Sequence, residues 1–68
     1  MKTITINTEY IKLDQLLKLA NIVSGGSEAH ALITDGQVKL NSNVQLQKRK
    51  KIVKGDVVTV GKEEIKIV

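Results

Sequence analysis

Residues 12–41, KLDQLLKLANIVSGGSEAHALITDGQVKLN, change their hydrophobic period along their length, and that change decides the fold. Leu13, Leu16, Leu17 and Ala20 recur at helical spacing, which predicts an amphipathic helix with one apolar face. Asp14 falls in its first turn, where a carboxylate suits the positive end of the helix dipole. Asn21 to Gly26 ends the helix, because two adjacent glycines are poor helix formers. A second helix is expected over Ser27–Asp35, with Ser27 as N-cap, Glu28 in the first turn and Ala29, Leu32 and Ile33 as the apolar face. Gly36 is placed to take the left-handed conformation that closes such a helix. Two short helices around a glycine turn make an αα-hairpin.

On either side of this hairpin the period becomes two. Thr3-Ile4-Thr5-Ile6 alternates and is rich in β-branched residues, as a half-buried strand requires. In Gln37-Val38-Lys39-Leu40 the apolar pair faces one side and the polar pair the other. Asn41-Ser42-Asn43 supplies turn chemistry, and Val44-Gln45-Leu46 is expected as the return strand. Gln47–Lys51 reads as an exposed loop and Lys54-Gly55-Asp56 as a turn. Strands follow at Val57–Val60 and Glu64–Val68, separated by Gly61-Lys62. No linker, repeat or low-complexity segment interrupts the chain. The expectation is a single α+β domain over residues 1–68, an αα-hairpin packed on a small, mostly antiparallel β-sheet.

Composition narrows the function. The 68 residues include no Cys, Pro, Trp or Phe, and Tyr10 is the only aromatic residue. Without Cys there is no disulfide framework, thiolate nucleophile or cysteine-based zinc site, and the chain reads as cytoplasmic. No apolar run approaches the roughly 18 residues of a membrane span. The formal charge is +4, yet residues 1–38 carry a net −1 and residues 55–68 a net −1. Residues 39–54 hold Lys39, Lys48, Arg49, Lys50, Lys51 and Lys54 with no acid, a net +6. So concentrated a patch calls for a polyanionic partner, or else forms a solvated turn that maintains solubility. Scarcity of rings argues against base-stacking modules.

Several stretches together resemble the S4 RNA-binding domain: Lys12-Leu13-Asp14, Leu16-Leu17, the glycine turn leading to Ala29, Gly36 through Asn41, and Gly55-Asp56. Within that superfamily the chain resembles the small stand-alone bacterial S4-like proteins of the YaaA/YbcJ type, above all at Leu17–Ala20 and Lys51–Asp56. The likeness runs from about Ile4 to Val68. It implies the αL-motif fold, and binding of structured RNA through the helices and adjacent basic loops. It also implies that Lys12 faces the RNA. Four features depart from the pattern. His30 stands where the group usually has Lys, and Gln47 where Arg is common. The turn is Asn41-Ser42-Asn43 rather than Asn-Gly and an acid, and Gly26 replaces a residue that many S4 domains keep basic.

The candidate RNA-binding residues are Lys12, Gly25, Gly26, Ser27, His30, Lys48, Arg49, Lys50 and Lys51. Gly25-Gly26-Ser27 opens the second helix, where free backbone N–H groups favour an anion; a plain turn with a capping serine fits the same residues. Lys48–Lys51 can engage several phosphates, and Arg49 can grip one bidentately. Lys12 and Lys18, six residues apart, are expected to point in different directions. His30 fits either a surface or capping role or a hydrogen bond to the ligand. It cannot make a metal site alone, since there is no second His and no Cys. No nucleophile elbow or nucleotide-binding loop is present, and the carboxylates are scattered. The expectation is a non-enzymatic, monomeric protein, without cofactor, small-molecule substrate or membrane partner. It would recognise structured RNA, ribosomal or transfer RNA, by phosphate and shape. The alternative is a protein-interaction adaptor that docks its basic loop on an acidic partner in a ribosome-assembly or replication complex.

Overall fold

A computed structural model describes residues 2–68. The leucine-rich stretch forms α1 (Leu13–Leu19), and the segment after the glycines forms α2 (Gly26–Thr34). Strands are β1 (Lys2–Ile4), β2 (Ile11–Lys12), β3 (Val38–Leu40), β4 (Asn43–Val44), β5 (Lys51–Ile52), β6 (Val57–Val60) and β7 (Glu63–Ile67). Five of them build one sheet in the order β1-β7-β6-β3-β4, and β2 and β5 pair as a separate antiparallel ribbon. All pairs in the main sheet are antiparallel except β1 with β7.

Both helices stop by the same device. Gly36, at φ +76°, follows α2, and the N–H groups of Gly36 and Gln37 return to the carbonyls of Ile33 and Leu32. Asn21 does the same after α1 at φ +64°, with Asn21 and Ile22 bonded back to Lys18 and Leu17. These are Schellman closures, which satisfy carbonyls that a helix end leaves open. The Lys2 ammonium adds a 2.7 Å bond to the Ala20 carbonyl at the end of α1, where the helix dipole favours a cation.

The start of α2 differs from the sequence expectation. Gly25, not Ser27, is the N-cap, and Ser27 lies inside the first turn. Glu28 accounts for the shift. Its carboxylate accepts from the N–H and the hydroxyl of Ser24, a reach-back that fixes the chain just ahead of Gly25 and leaves no capping task for Ser27.

The helices cover one face of the sheet. Leu13, Leu16, Leu17, Ala20, Ala29 and Ile33 meet Val38, Val58, Ile65 and Ile67 in a single core that also takes in Ile6, Val23 and Ile52. Leu13, Leu16 and Leu17 are wholly buried, and truncation of one to Ala costs about 2–5 kcal/mol. The first strand ends at Ile4 rather than Ile6, although Ile6 still bonds to Val68 and stays in the core.

The β3–β4 hairpin turns over two residues rather than the Asn41-Ser42-Asn43 expected. Asn41 and Ser42 both take positive φ, as a two-residue type I′ turn requires, so β4 begins at Asn43. Val44 then pairs with Lys39 on the outer face and is 53% exposed, while half-buried Gln45 bonds back to Val38. The turn length sets this register.

Candidate RNA-binding surface

The basic segment is a loop that is exposed through Arg49 and half-buried at Lys50, while Lys51 belongs to β5. Its position follows from backbone chemistry. The first N–H groups of a helix have no partner within it. Here Leu13 donates to the Lys50 carbonyl at 2.9 Å and Asp14 to the Lys48 carbonyl at 3.1 Å. The loop therefore caps α1 with its main chain, and pairing of Ile11 with Ile52 and Lys12 with Lys51 anchors its exit. Among the described residues, no Lys or Arg side chain lies within ion-pair distance of a carboxylate. The loop's charges are therefore tied up in no ion pair.

An open groove of about 400 Å³ lies at this junction, lined by Tyr10, Lys12, Asp14, Gln15, Lys18 and Arg49. Lys12 and Lys18 thus border one groove, contrary to the divergence expected of them. The reason is that Lys12 is not helical: at φ −74° and ψ 146° it is the extended N-cap of α1, so helical angular spacing does not apply to it. Lys51, on β5, is not on the groove lining but places its ammonium 4.8 Å from the centre of the Tyr10 ring; that of Lys12 is 6.0 Å away. Cation–π contacts of this kind are worth about 0.5–1 kcal/mol at exposed sites.

Asp14 is the one acid in the groove, and it is already engaged. Its Oδ1 accepts the Gln15 N–H at 2.9 Å, and its Oδ2 lies 3.2 Å from His30 Nε2. A carboxylate only accepts, so Nε2 carries the proton. Burial pushes the Asp14 carboxyl upward, but the His30 hydrogen bond, the Gln15 N–H and the positive charges of His30 and Arg49 outweigh it. The carboxyl ends below its ordinary range. His30 therefore ties α2 to the start of α1, and only Nδ1 remains for a ligand. Its spacing from Asp14 gives no sign of this pairing, which depends on how the two helices pack.

Gly25, Gly26 and Ser27 do not line the groove. Both glycines are open, with no atom within 4 Å of where a Cβ would sit, so an anion has room to approach. The Glu28 carboxylate at the same helix end competes with such an anion. Among the described residues there is no group of three or more His, Asp or Glu arranged to hold a metal, and no helix is long and apolar enough to cross a membrane.

A family model described as the S4 domain matches residues 4–68. The chain belongs to the S4 domain family. This S4 domain is 36% identical over 59 residues to YbcJ of Escherichia coli (strain K12), covering 87% of this chain and 84% of YbcJ. It is 35% identical over 57 residues to a Bacillus subtilis (strain 168) protein named "Probable ribosome maturation protein RlbA", covering 84% of this chain and 80% of that one. The solution structure of YbcJ superimposes with a TM-score of 0.77 at 33% identity, covering all of this S4 domain and 87% of YbcJ. That structure is described as revealing an αL motif involved in RNA-binding. Two helices against a mostly antiparallel sheet are the shared architecture, as the sequence resemblance implied.

Proposed function

We propose that this S4 domain is a non-catalytic module that binds structured RNA, ribosomal RNA foremost, as a single copy. The observation that carries the reading is the convergence of Lys12, Lys18 and Arg49 on one groove whose only acid is occupied by His30, with Lys51 over the Tyr10 ring at its edge. Lys48 and Lys50 extend the positive field beyond it, on a loop held by its own carbonyls. The RNA-binding description of the YbcJ structure and the name of RlbA support RNA, and ribosomal RNA in particular. Arg49 and the groove lysines receive the backbone, and the open N–H groups of Gly26 and Ser27 take a flanking phosphate beside His30. The heavier share falls on the groove, because Glu28 offsets the positive end of α2.

Neutralising about four phosphates gives a slope of log affinity against log salt of roughly −3 to −4. The test is competition among an RNA hairpin, single-stranded RNA and duplex DNA across a salt series, with wild-type protein and Lys48→Glu/Lys50→Glu/Lys51→Glu. The expected result is preference for the hairpin and loss of binding in the triple variant at an unchanged melting temperature. Undiminished hairpin affinity in the triple variant overturns the reading. Protein partners that stay captured after RNase treatment, with no RNA affinity in the purified chain, would establish the adaptor instead.

A further inference from the structure

We propose that Tyr10 is a stacking platform for one unpaired nucleobase of the bound RNA, an inference that rests on the RNA-binding reading of the same groove. The chain's only aromatic residue stands on the groove lining and is 38% exposed. Nothing in the fold requires a ring there. Tyr10 lies outside the hydrophobic core, and among the described residues its hydroxyl makes no hydrogen bond. What the fold does fix is its place: its carbonyl accepts the Thr8 hydroxyl at 2.8 Å, and β2, paired to β5, begins at the next residue.

In the free protein the ring carries two ammonium groups, at 4.8 Å and 6.0 Å. Stacking on an aromatic side chain is worth about 5- to 150-fold in affinity for a base, whereas an exposed ammonium on a ring contributes about 2- to 5-fold. A base therefore displaces Lys51 from the ring, and the freed ammonium meets the phosphate that accompanies the base. The Gln15 side-chain amide, on the same groove, offers both a donor and an acceptor to the edge of that base. Duplex RNA keeps its bases stacked internally, so the ligand is a loop or bulge. Recognition is then by phosphate and shape across the surface, with one base held at Tyr10.

The test compares an RNA hairpin with a four-nucleotide loop against a blunt duplex of the same stem sequence. Wild-type protein and the variants Tyr10→Leu, Tyr10→Phe and Lys48→Glu/Lys50→Glu/Lys51→Glu are titrated with each RNA. Wild type is expected to prefer the hairpin. Tyr10→Leu should lose about tenfold in hairpin affinity with little change for the duplex, and Tyr10→Phe should retain the preference. In wild-type protein the Tyr10 ring protons should move upfield with the hairpin but not with the duplex, a readout that needs no variant to fold. Wild-type hairpin affinity in Tyr10→Leu, or static ring resonances, overturns the stacking role. If the triple variant has lost binding in that same experiment, RNA recognition by the groove stands without it; if the triple variant also binds normally, both readings fall.

Discussion

At the corner where β3 meets the turn before β6, the side chains of Asn41 and Asp56 add to the backbone's own hydrogen bonds, whereas the 47–50 loop is held by main-chain atoms and the Gln45 amide, and none of its cationic side chains takes part. Asn41 donates through Nδ2 to Asp56 Oδ1 at 3.1 Å and accepts the Val57 N–H at 2.9 Å. Asp56 Oδ2 accepts the Val53 N–H at 2.9 Å. In the basic loop the corresponding work is done by the Lys48 and Lys50 carbonyls on the start of α1. A loop anchored by main-chain atoms can carry any side chain its ligand demands, which permits four consecutive cations. The corner has no such freedom, because its amide and its carboxylate are themselves the anchor.

That contrast can be broken by experiment. The largest effect is expected at the corner. Asn41→Ala removes two side-chain hydrogen bonds and places a Cβ-bearing, non-Asn residue at φ +50°, together costing about 2–3 kcal/mol. For a domain this small, that lowers the melting temperature by roughly 10–20 °C. Asp56→Ala should cost about 2 kcal/mol, and the double variant should lose less than the sum, since the two residues share a bond. RNA affinity of the folded fraction should not move in either case. A corner variant that loses RNA binding while still folded would erase the distinction between the two regions.

The basic loop should answer in the opposite way. Arg49→Ala is expected to keep the melting temperature within a few degrees, since Arg49 has no carboxylate within ion-pair distance. It should lower RNA affinity about tenfold and make the salt dependence shallower by about 0.7–0.9 in slope. Thermal melts and a salt titration on the same preparation test both halves.

The smallest effect falls at Asp14, whose N–H donates to the Lys48 carbonyl of the basic loop while its carboxylate meets His30. Its carboxyl is held below the ordinary range in the folded state, so its ionised form favours folding. That contribution is present above the unfolded value and is lost as pH falls through the lower folded value. Wild-type stability should therefore drop on acidification below about pH 4, and Asp14→Asn should show a flatter acid limb. Melting temperatures across pH 2–6 decide it, and parallel curves would remove the ionic role from Asp14.

How much of this was legible in the chain depended on how local each determinant is. The face of Leu13, Leu16, Leu17 and Ala20, the closure at Gly36 and the net charge of residues 39–54 are written within a few turns of sequence, and each lies where it was read. Val44 shows the limit, since a turn one residue shorter than expected moves the next strand to the other face. Ser27 shows another: the cap of α2 falls two residues earlier, at Gly25, next to a Ser24–Glu28 contact that spans four residues. The groove was the least legible feature. Tyr10, Lys12 and Lys18 come from one stretch of chain and Arg49 from a loop distant in sequence, and only the fold brings the two together.

The parallel pairing of β1 with β7 has a consequence for the order of assembly. β7 lies between β1 and β6, so the first strand has no other neighbour in the sheet, and Lys2 must find Ile65 across a separation of sixty-odd residues. Closing a loop that long costs roughly 3–4 kcal/mol in chain entropy, repaid only when the whole sheet forms. The residues of the groove are all translated before β7 exists. On a nascent chain the binding surface therefore precedes the seal, and the sheet's registry is the last thing to be settled.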